Sequence, residues 1–529
     1  MPHGPFTRVV ARQTVRPAHV NVVYSALENT PTLGEVVSGG SLTPGANGNI
    51  QATVGGVITS VKPGRIDARV RGLSTAASDN STLLGTLLTE SGSTGGELWI
   101  PDGTYRGTAL VPANARIGGT GTLKPVAGGT GWVLSVTGND VAVKGITVDC
   151  ELTAKGLVFD GEFGTADKGY VVEGVTFRNH TDTSNAAVRY GQIADLVVRR
   201  CKFYTVGSAV GGYDSSFVRV EDNYADTTTG NAYGAISYVG GFRGCSWVRN
   251  VAINVKRMGI ELWSTGPTAY LDAPEVADNV ISLATTTTDY FNNMPYSIVA
   301  ARDAMVHGNR AYGPVDAQSR FAAYELGVHP LRLYDNYATG MFDSGAILQA
   351  QSHSTVEGNT FIGQGTGITI QNASTQVAHT IRNNRIRGFR NKGIYLSENT
   401  GLHGAHVIEG NLIIHDAEWT GVTVWNGIEQ YLGWPMAGKI SRNTIIQGLA
   451  VPTSEGRGIN IFINALGDMQ GTEAHNNHFI DYATTPTATT LSGLTTKFGD
   501  AARMADVSLS GNRRTIATGV TNDVTTWVT

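Results

Sequence analysis

A four-residue motif, aliphatic–polar–polar–Asn, returns along most of this chain and constrains its fold more than any other feature. Copies begin at Val143 (Val-Lys-Gly-Ile), Val172 (Val-Glu-Gly-Val), Val198 (Val-Arg-Arg-Cys) and Val220 (Val-Glu-Asp-Asn). Others start at Val248, Val276, Val306, Leu333, Val356, Ile381, Ile408 and Ile440, with a weaker one at Ala474. Successive starts lie 22 to 34 residues apart. A helical array would keep a stricter period and show 3.6-residue spacing. Between the motifs a small residue precedes alternating apolar positions: Gly156-Leu-Val-Phe, Gly234-Ala-Ile-Ser, Gly259-Ile-Glu-Leu-Trp, Gly345-Ala-Ile-Leu, Gly367-Ile-Thr-Ile, Gly393-Ile-Tyr-Leu, Gly421-Val-Thr-Val-Trp and Gly458-Ile-Asn-Ile-Phe. Alternation marks strands. Two or three short strands per repeat, none able to bury its inner face alone, predict an all-β parallel solenoid of about twelve coils around one continuous core. The Asn column (Asn223, Asn279, Asn309, Asn336, Asn359, Asn384, Asn411, Asn443 and Asn477) reads as architecture. Asn tolerates the left-handed backbone of a sharp turn, and its amide can bond the equivalent amide one coil away.

Composition agrees. Of 529 residues 67 are glycine and only 16% are charged, against usual shares of about 7% and about 25%, so surface helices are few. A net charge of −4 gives no electrostatic case for nucleic acid or an anionic membrane, and no apolar run is long enough to span a bilayer. Cys150, Cys201 and Cys245 are spaced too widely for a zinc knuckle or redox pair and read as small buried hydrophobes. The twelve histidines are scattered without metal-ligand pairing, so neither metal nor cofactor is expected.

Outside the repeats the chain changes character. Asn80-Ser-Thr-Leu-Leu-Gly-Thr-Leu-Leu-Thr-Glu-Ser has helix-spaced apolar residues behind a Ser/Thr cap. It precedes Gly95-Gly-Glu-Leu-Trp-Ile-Pro-Asp-Gly-Thr-Tyr and Arg116-Ile-Gly-Gly-Thr-Gly. This stretch resembles the opening of the pectate-lyase-like superfamily, in which a helix caps a right-handed parallel β-helix. The expected organisation is a β-rich N-terminal attachment or adaptor module (1–74), a capping helix with the first coils (75–125), the parallel β-helix (126–485), and a last coil or C-terminal cap (486–529). A β-helix behind a small N-terminal module, with no secretory signal at Met1-Pro-His-Gly-Pro, resembles the bacteriophage tailspikes and tail fibres. That resemblance implies a homotrimer joined to the virion tail by its N-terminal module and made in the host cytoplasm. An extracellular location is the alternative. The implied partner is a bacterial surface polysaccharide, which many members of that group cleave.

Placing the aliphatics inward leaves two outward ladders. One runs Glu261, Val299, Ala323, Ile347, Thr369, Tyr395, Thr423, Asn460; its neighbour runs Trp263, Ala301, Glu325, Gln349, Gln371, Ser397, Trp425, Phe462. A one-residue slip at 297–303 or 321–326 would reverse which side chains face out. The expected sugar-binding set is Trp263, Tyr324, Tyr395 and Trp425 as ring platforms, with Gln349, Gln371 and Arg302 as polar contacts. Glycoside hydrolysis needs two carboxyl groups. Glu261 and Glu325, two coils apart, with Asp303 on the coil between them, are the expected catalytic set. Asp160, Glu162 and Asp214 form a weaker cluster. A polysaccharide lyase would instead use Arg320, Tyr324, His329 and Arg332, although the dense carboxylate cluster of calcium-dependent lyases is missing. A receptor-binding tail protein would need the aromatics alone.

Overall fold

The computed structural model describes residues 64–516 apart from segments 161–167, 240–241, 266–268, 286–291, 315–319, 350–352, 372–377, 398–405, 418, 433–437, 450–453, 464–472, 483–491 and 497–507, together with strands at 40–44, 50–54, 57–61 and 521–523. The chain is a right-handed parallel β-helix with three strands per coil. Tyr170–Glu173, Thr176–His180 and Ala186–Gly191, for example, pair in parallel with Leu196–Arg199, Lys202–Val206 and Ser208–Tyr213 of the next coil. Among the described residues the sheet containing Thr176–His180 has seventeen strands, the last of them antiparallel, which leaves sixteen parallel rungs. The stack therefore extends past the stretch in which the Asn motif is legible, because the earliest coils carry Gly or an aliphatic residue in place of Asn. Helix α1 (Ser81–Thr94) buries Leu84, Leu87 and Leu88 against the first coils and ends on Gly95 at φ 73°. Three strands upstream, Gly40–Pro44, Ile50–Val54 and Val57–Val61, form an antiparallel meander. At the other end Thr521–Asp523 folds back on Arg513–Thr515, turning the last rung from an open parallel edge into an antiparallel one.

Two columns fix the coil geometry. The first is the asparagine ladder, unbroken from Asn223 through Asn250 and Asn279 to Asn512. Asn309 is representative. Its Nδ2 donates to Asn336 Oδ1 at 3.0 Å and to Val276 O at 2.7 Å, and its backbone N–H donates to Asn336 Oδ1 at 3.0 Å. Its Oδ1 accepts the same two bonds from Asn279. Both amide hydrogens and both carbonyl lone pairs are used inside a dry core. The left-handed residue at each turn is not the Asn but the one before it: Asp222, Arg249, Asp278 and Asp335 have φ between 55° and 57°, and Gly308, Gly358 and Gly410 between 64° and 67°. The ladder Asn itself does not take the left-handed conformation, and its amide bridges the coils.

The second column is glycine. A Cβ on Gly345, Gly367, Gly393 or Gly427 would lie 2.5–2.6 Å from the carbonyl oxygen of the glycine on the next rung. On these later coils side-chain-free stacking is therefore obligatory where the chain bends into the sheet, whereas on the coils around Glu261 the same register place is taken by Ala232, Gly259, Pro295 and Ala323. The first residues of the Asn motif, Val276, Val306, Leu333 and Ile381 among them, are fully buried. Trp247, not Val248, takes that place in its coil, one residue from the position the motif suggested.

Cys150, Cys201 and Cys245 are buried, and burial pushes their thiols up to about 12, about 12 and about 11, so they are inert packing groups. His180 is fully buried, and neither ring nitrogen has a hydrogen-bond partner among the described residues. Burial, with a small opposing contribution from Asp182, pushes its imidazole down to about 4.

Two outcomes are expected. Asn309→Ala removes the acceptor of the Asn279 backbone and side-chain N–H groups and the side-chain donor to Val276 O and Asn336 Oδ1, although the residue-309 backbone N–H still reaches Asn336 Oδ1; it should cost roughly 2–4 kcal/mol, read as a lower denaturant midpoint. The folded protein holds His180 neutral, so it binds fewer protons than the unfolded chain. Stability should therefore be full above about pH 6.5 and fall by about 3 kcal/mol as pH drops toward 4. Denaturation curves of His180→Leu at pH 7 and pH 4.5 should lack that component.

Candidate functional site

The outward face of the glycine-bent sheet carries one continuous column. Register pairs run Arg189–Gly211–Gly234–Glu261 and continue Glu261–Ser297–Glu325–Ile347–Thr369–Tyr395–Glu429. Rungs lie about 4.8 Å apart, so Glu261 and Glu325 have backbones about 10 Å apart with Ser297 between them.

At its N-terminal end this column floors a groove of about 430 Å³. Gly211 and Gly234 form the floor; their outward Cβ positions meet nothing closer than Ala186 Cβ at 3.3 Å and Glu261 O at 3.1 Å. Tyr213, Tyr238 and Trp263 stand along the groove, with Trp263 43% exposed. The Tyr213 and Tyr238 rings meet edge to face at 6.0 Å. Gly191 makes this arrangement possible, since any Cβ there would run into the Tyr213 ring. Arg189 and Arg257 supply positive charge. Glu261 accepts a hydrogen bond from Asn231 Nδ2 and contacts Arg257 Nη2 at 3.4 Å. Two rungs on, half-buried Glu325 accepts from Ser297 Oγ at 2.7 Å. Beyond it lies Ile347, part of a small apolar cluster with Met258, Met294 and Ala322 outside the main core.

The expected site residues are distributed as follows. Glu261 and Trp263 are both on the groove. Glu325 shares the Glu261 column rather than the Trp263 ladder. Asp303 does not fall between the two glutamates; Ser297 does. The strand Met294–His307 turns the corner into the adjoining sheet with a register shift between Val299 and Ala301 and positive φ at Ala300 and Asp303. This carries exposed Asp303 and Arg302 onto the next face, where the Arg302 guanidinium covers the Tyr270 ring at 3.8 Å. Gln349 and Gln371 are half-buried on neighbouring rungs, 3.4 Å apart. Tyr395 lies five rungs from Glu261 under the Lys392 ammonium at 3.2 Å.

Two expected platforms are corrected. Tyr324 is fully buried, its ring stacked on Tyr296 at 4.8 Å and its hydroxyl donating to the carbonyls of Asn309 and Tyr337. It fills the inward column because Glu325, one residue on, faces out. Trp425 is also fully buried, stacked on His415 at 4.6 Å. The bend glycine of that coil is Gly427, not Gly421, so Glu429 takes the outward place given to Thr423. The lyase set is broken up as well, since Arg320 and Tyr324 are both buried while Arg332 is exposed; the His329 side chain lies outside the described residues. Asp214 is a turn brace, accepting from the Tyr238 and Val239 amides at 2.8 and 3.1 Å. Glu162 and the Asp160 side chain lie outside the described residues. Among the described residues no group of His, Cys, Asp and Glu could hold a metal ion, and no helix is long and apolar enough to cross a membrane.

Arg189, Asn231, Arg257, Tyr213 and Tyr238 were not singled out from the sequence. The available signal was Gly211-Gly212-Tyr213, which places a glycine where other coils carry a side chain.

Residues 302–427 match the family model of the right-handed beta helix region. No curated protein matches the sequence. Among solved structures, the tailspike protein of E. coli bacteriophage HK620 in complex with pentasaccharide is similar in a mutant form at 13% identity and TM-score 0.49, covering 93% of this chain and 86% of that one. PfbA, a surface adhesin of Streptococcus pneumoniae, is similar at 12% identity and TM-score 0.46, covering 62% and 93%. The catalytic unit of a GH87 alpha-1,3-glucanase from Streptomyces thermodiastaticus is similar at 12% identity and TM-score 0.36, covering 85% and 68%.

The two kinds of glycine give different expectations. Gly211→Ala meets only the Ala186 Cβ, at 3.3 Å, and should lower the melting temperature far less than the same change at Gly367. Gly367→Ala drives a Cβ into the Gly393 carbonyl and should cost about 1–3 kcal/mol. Thermal unfolding of the two variants checks the distinction.

Proposed function

We propose that the protein binds a polysaccharide along the Arg189–Glu325 column and hydrolyses it between Glu261 and Glu325. The observation that carries this reading is the alignment, on one outward column, of a glycine floor beside exposed aromatics with two carboxyl groups two rungs apart. Flat aromatic faces and an open backbone floor suit sugar rings. The carboxyl pair suits acid–base cleavage of the glycosidic bond, because side chains leaning together from about 10 Å reach the roughly 6.5–9.5 Å of an inverting pair. Glu261 has Arg257 beside it and takes the ionised role, activating water. Glu325, with no cation within ion-pair distance among the described residues, takes the role of proton donor to the leaving oxygen. Asp303, on the adjoining face, has no part in this step. In the wider reading the chain is a phage tailspike-type homotrimer, attached to the virion through residues 1–74 and directed at a bacterial surface glycan.

The test is incubation of purified full-length protein with bacterial surface polysaccharides, followed by mass spectrometry. Oligosaccharides that have gained water are expected. Glu261→Gln and Glu325→Gln should each slow their release by about 10²–10⁴-fold while the polysaccharide stays bound. Products lacking that water would replace hydrolysis with elimination. Binding without products from any polysaccharide would leave a receptor-binding protein and remove the catalytic roles.

A further inference from the structure

The charges of the groove carry the reading one step further. Several arginines of the solenoid are met by a carboxylate from an adjacent coil, on strands (Arg199 by Glu173, Arg382 by Glu357) and at turns (Arg249 by Asp222, Arg442 by Glu409). Arg189, on the groove, is not. Its column neighbours are Val158 and Gly211, and among the described residues no carboxylate lies within ion-pair distance of it. Its guanidinium is instead oriented by a neutral group, with Nη1 donating to Asn185 Oδ1. Asn185 is in turn anchored through Nδ2 to Asp182 Oδ2 at 2.7 Å. Asp182 is already engaged by Lys155 at 3.8 Å. Burial raises its carboxyl, but bonds from Asn185 and the Ser184 amide, with the Lys155 charge, outweigh that and hold it below the usual range. The Tyr213 ring lies 5.6 Å from the guanidinium carbon. Arg189 is thus aimed at the groove without being neutralised. The second arginine, Arg257, is paired with Glu261, so one uncompensated positive charge is left over the glycine floor.

We propose that this charge reads a carboxylate on the glycan, making the substrate an acidic polysaccharide with a carboxylated sugar, such as a uronic acid, seated over Gly211 and Gly234. The inference rests on the groove reading above. A guanidinium fork matches a carboxylate in two parallel hydrogen bonds, which a neutral hexose cannot supply. Arg189 and Glu261 are three rungs, about 14 Å, apart. The acidic unit is therefore held away from the bond that reacts, as a specificity contact and not as the reacting ring.

The test uses purified bacterial surface polysaccharides, each as isolated and after carbodiimide–borohydride reduction of its carboxyl groups, with binding measured for wild type, Arg189→Met, Arg189→Lys and Trp263→Ala, all checked for native circular dichroism. Wild type should bind the acidic form at least about tenfold more tightly than its reduced counterpart. Arg189→Met should abolish that preference, Arg189→Lys should restore it only in part, and Trp263→Ala should weaken both forms. Equal affinity of wild type for both forms, still lost in Trp263→Ala, would overturn the acidic specificity and leave the groove reading in place. Binding that Trp263→Ala does not alter, or no binding to any polysaccharide, would overturn the groove reading and this inference with it.

Discussion

The asparagine ladder holds each coil in register with the next, and the functional face depends on that register. A parallel solenoid has few long-range constraints against slippage, and a one-residue slip would turn every outward side chain inward. The ladder supplies one. Each amide is saturated by the coils on either side of it, so a slipped coil would strand buried donors and acceptors at a cost of about 1–3 kcal/mol apiece. On the coils from Gly345 to Gly427 the glycine column adds a steric constraint, since only a residue without Cβ fits against the carbonyl of the next rung. Together they fix which residue of each coil meets the outward column.

Once register is fixed, chemistry follows by addition along one line. Each coil contributes one outward side chain to the column, and the coils from Arg189 to Glu325 contribute a cation, two empty positions, a carboxylate, a hydroxyl and a second carboxylate. The empty positions are as informative as the charged ones. Gly367 lacks a side chain because the next coil leaves no room for one, whereas a Cβ on Gly211 would meet only the Ala186 Cβ, in a tight contact at 3.3 Å. Room left unused on a sheet face invites a ligand.

The fold was largely legible because its signals are repeated: a misread coil is corrected by its neighbours. The site was legible only in part, because each of its residues occurs once. Glu261 and Trp263 follow an unambiguous Gly-Ile alternation. Tyr324 and Trp425 were misplaced where the alternation offers two registers: Ala322-Ala323-Tyr324 does not show which residue takes the bend position, and the coil near Trp425 contains both Gly421 and Gly427. Asp303 was misplaced because a single strand turns a corner through left-handed Ala300 and Asp303, two residue types that do not announce such a bend. Arg189 could not be recognised from sequence at all, since its place over the groove depends on Gly211 beside it in the column and on Asn185 as its hydrogen-bond partner.

The central claim is that one outward column is the glycan track, and a crystal structure of the Glu261→Gln, Glu325→Gln variant with bound oligosaccharide tests it most directly. The account predicts sugar rings on the Gly211–Gly234 floor beside Trp263, with a glycosidic oxygen passing between positions 261 and 325. An oligosaccharide on another face of the solenoid, or wholly between subunits and away from this column, would contradict it.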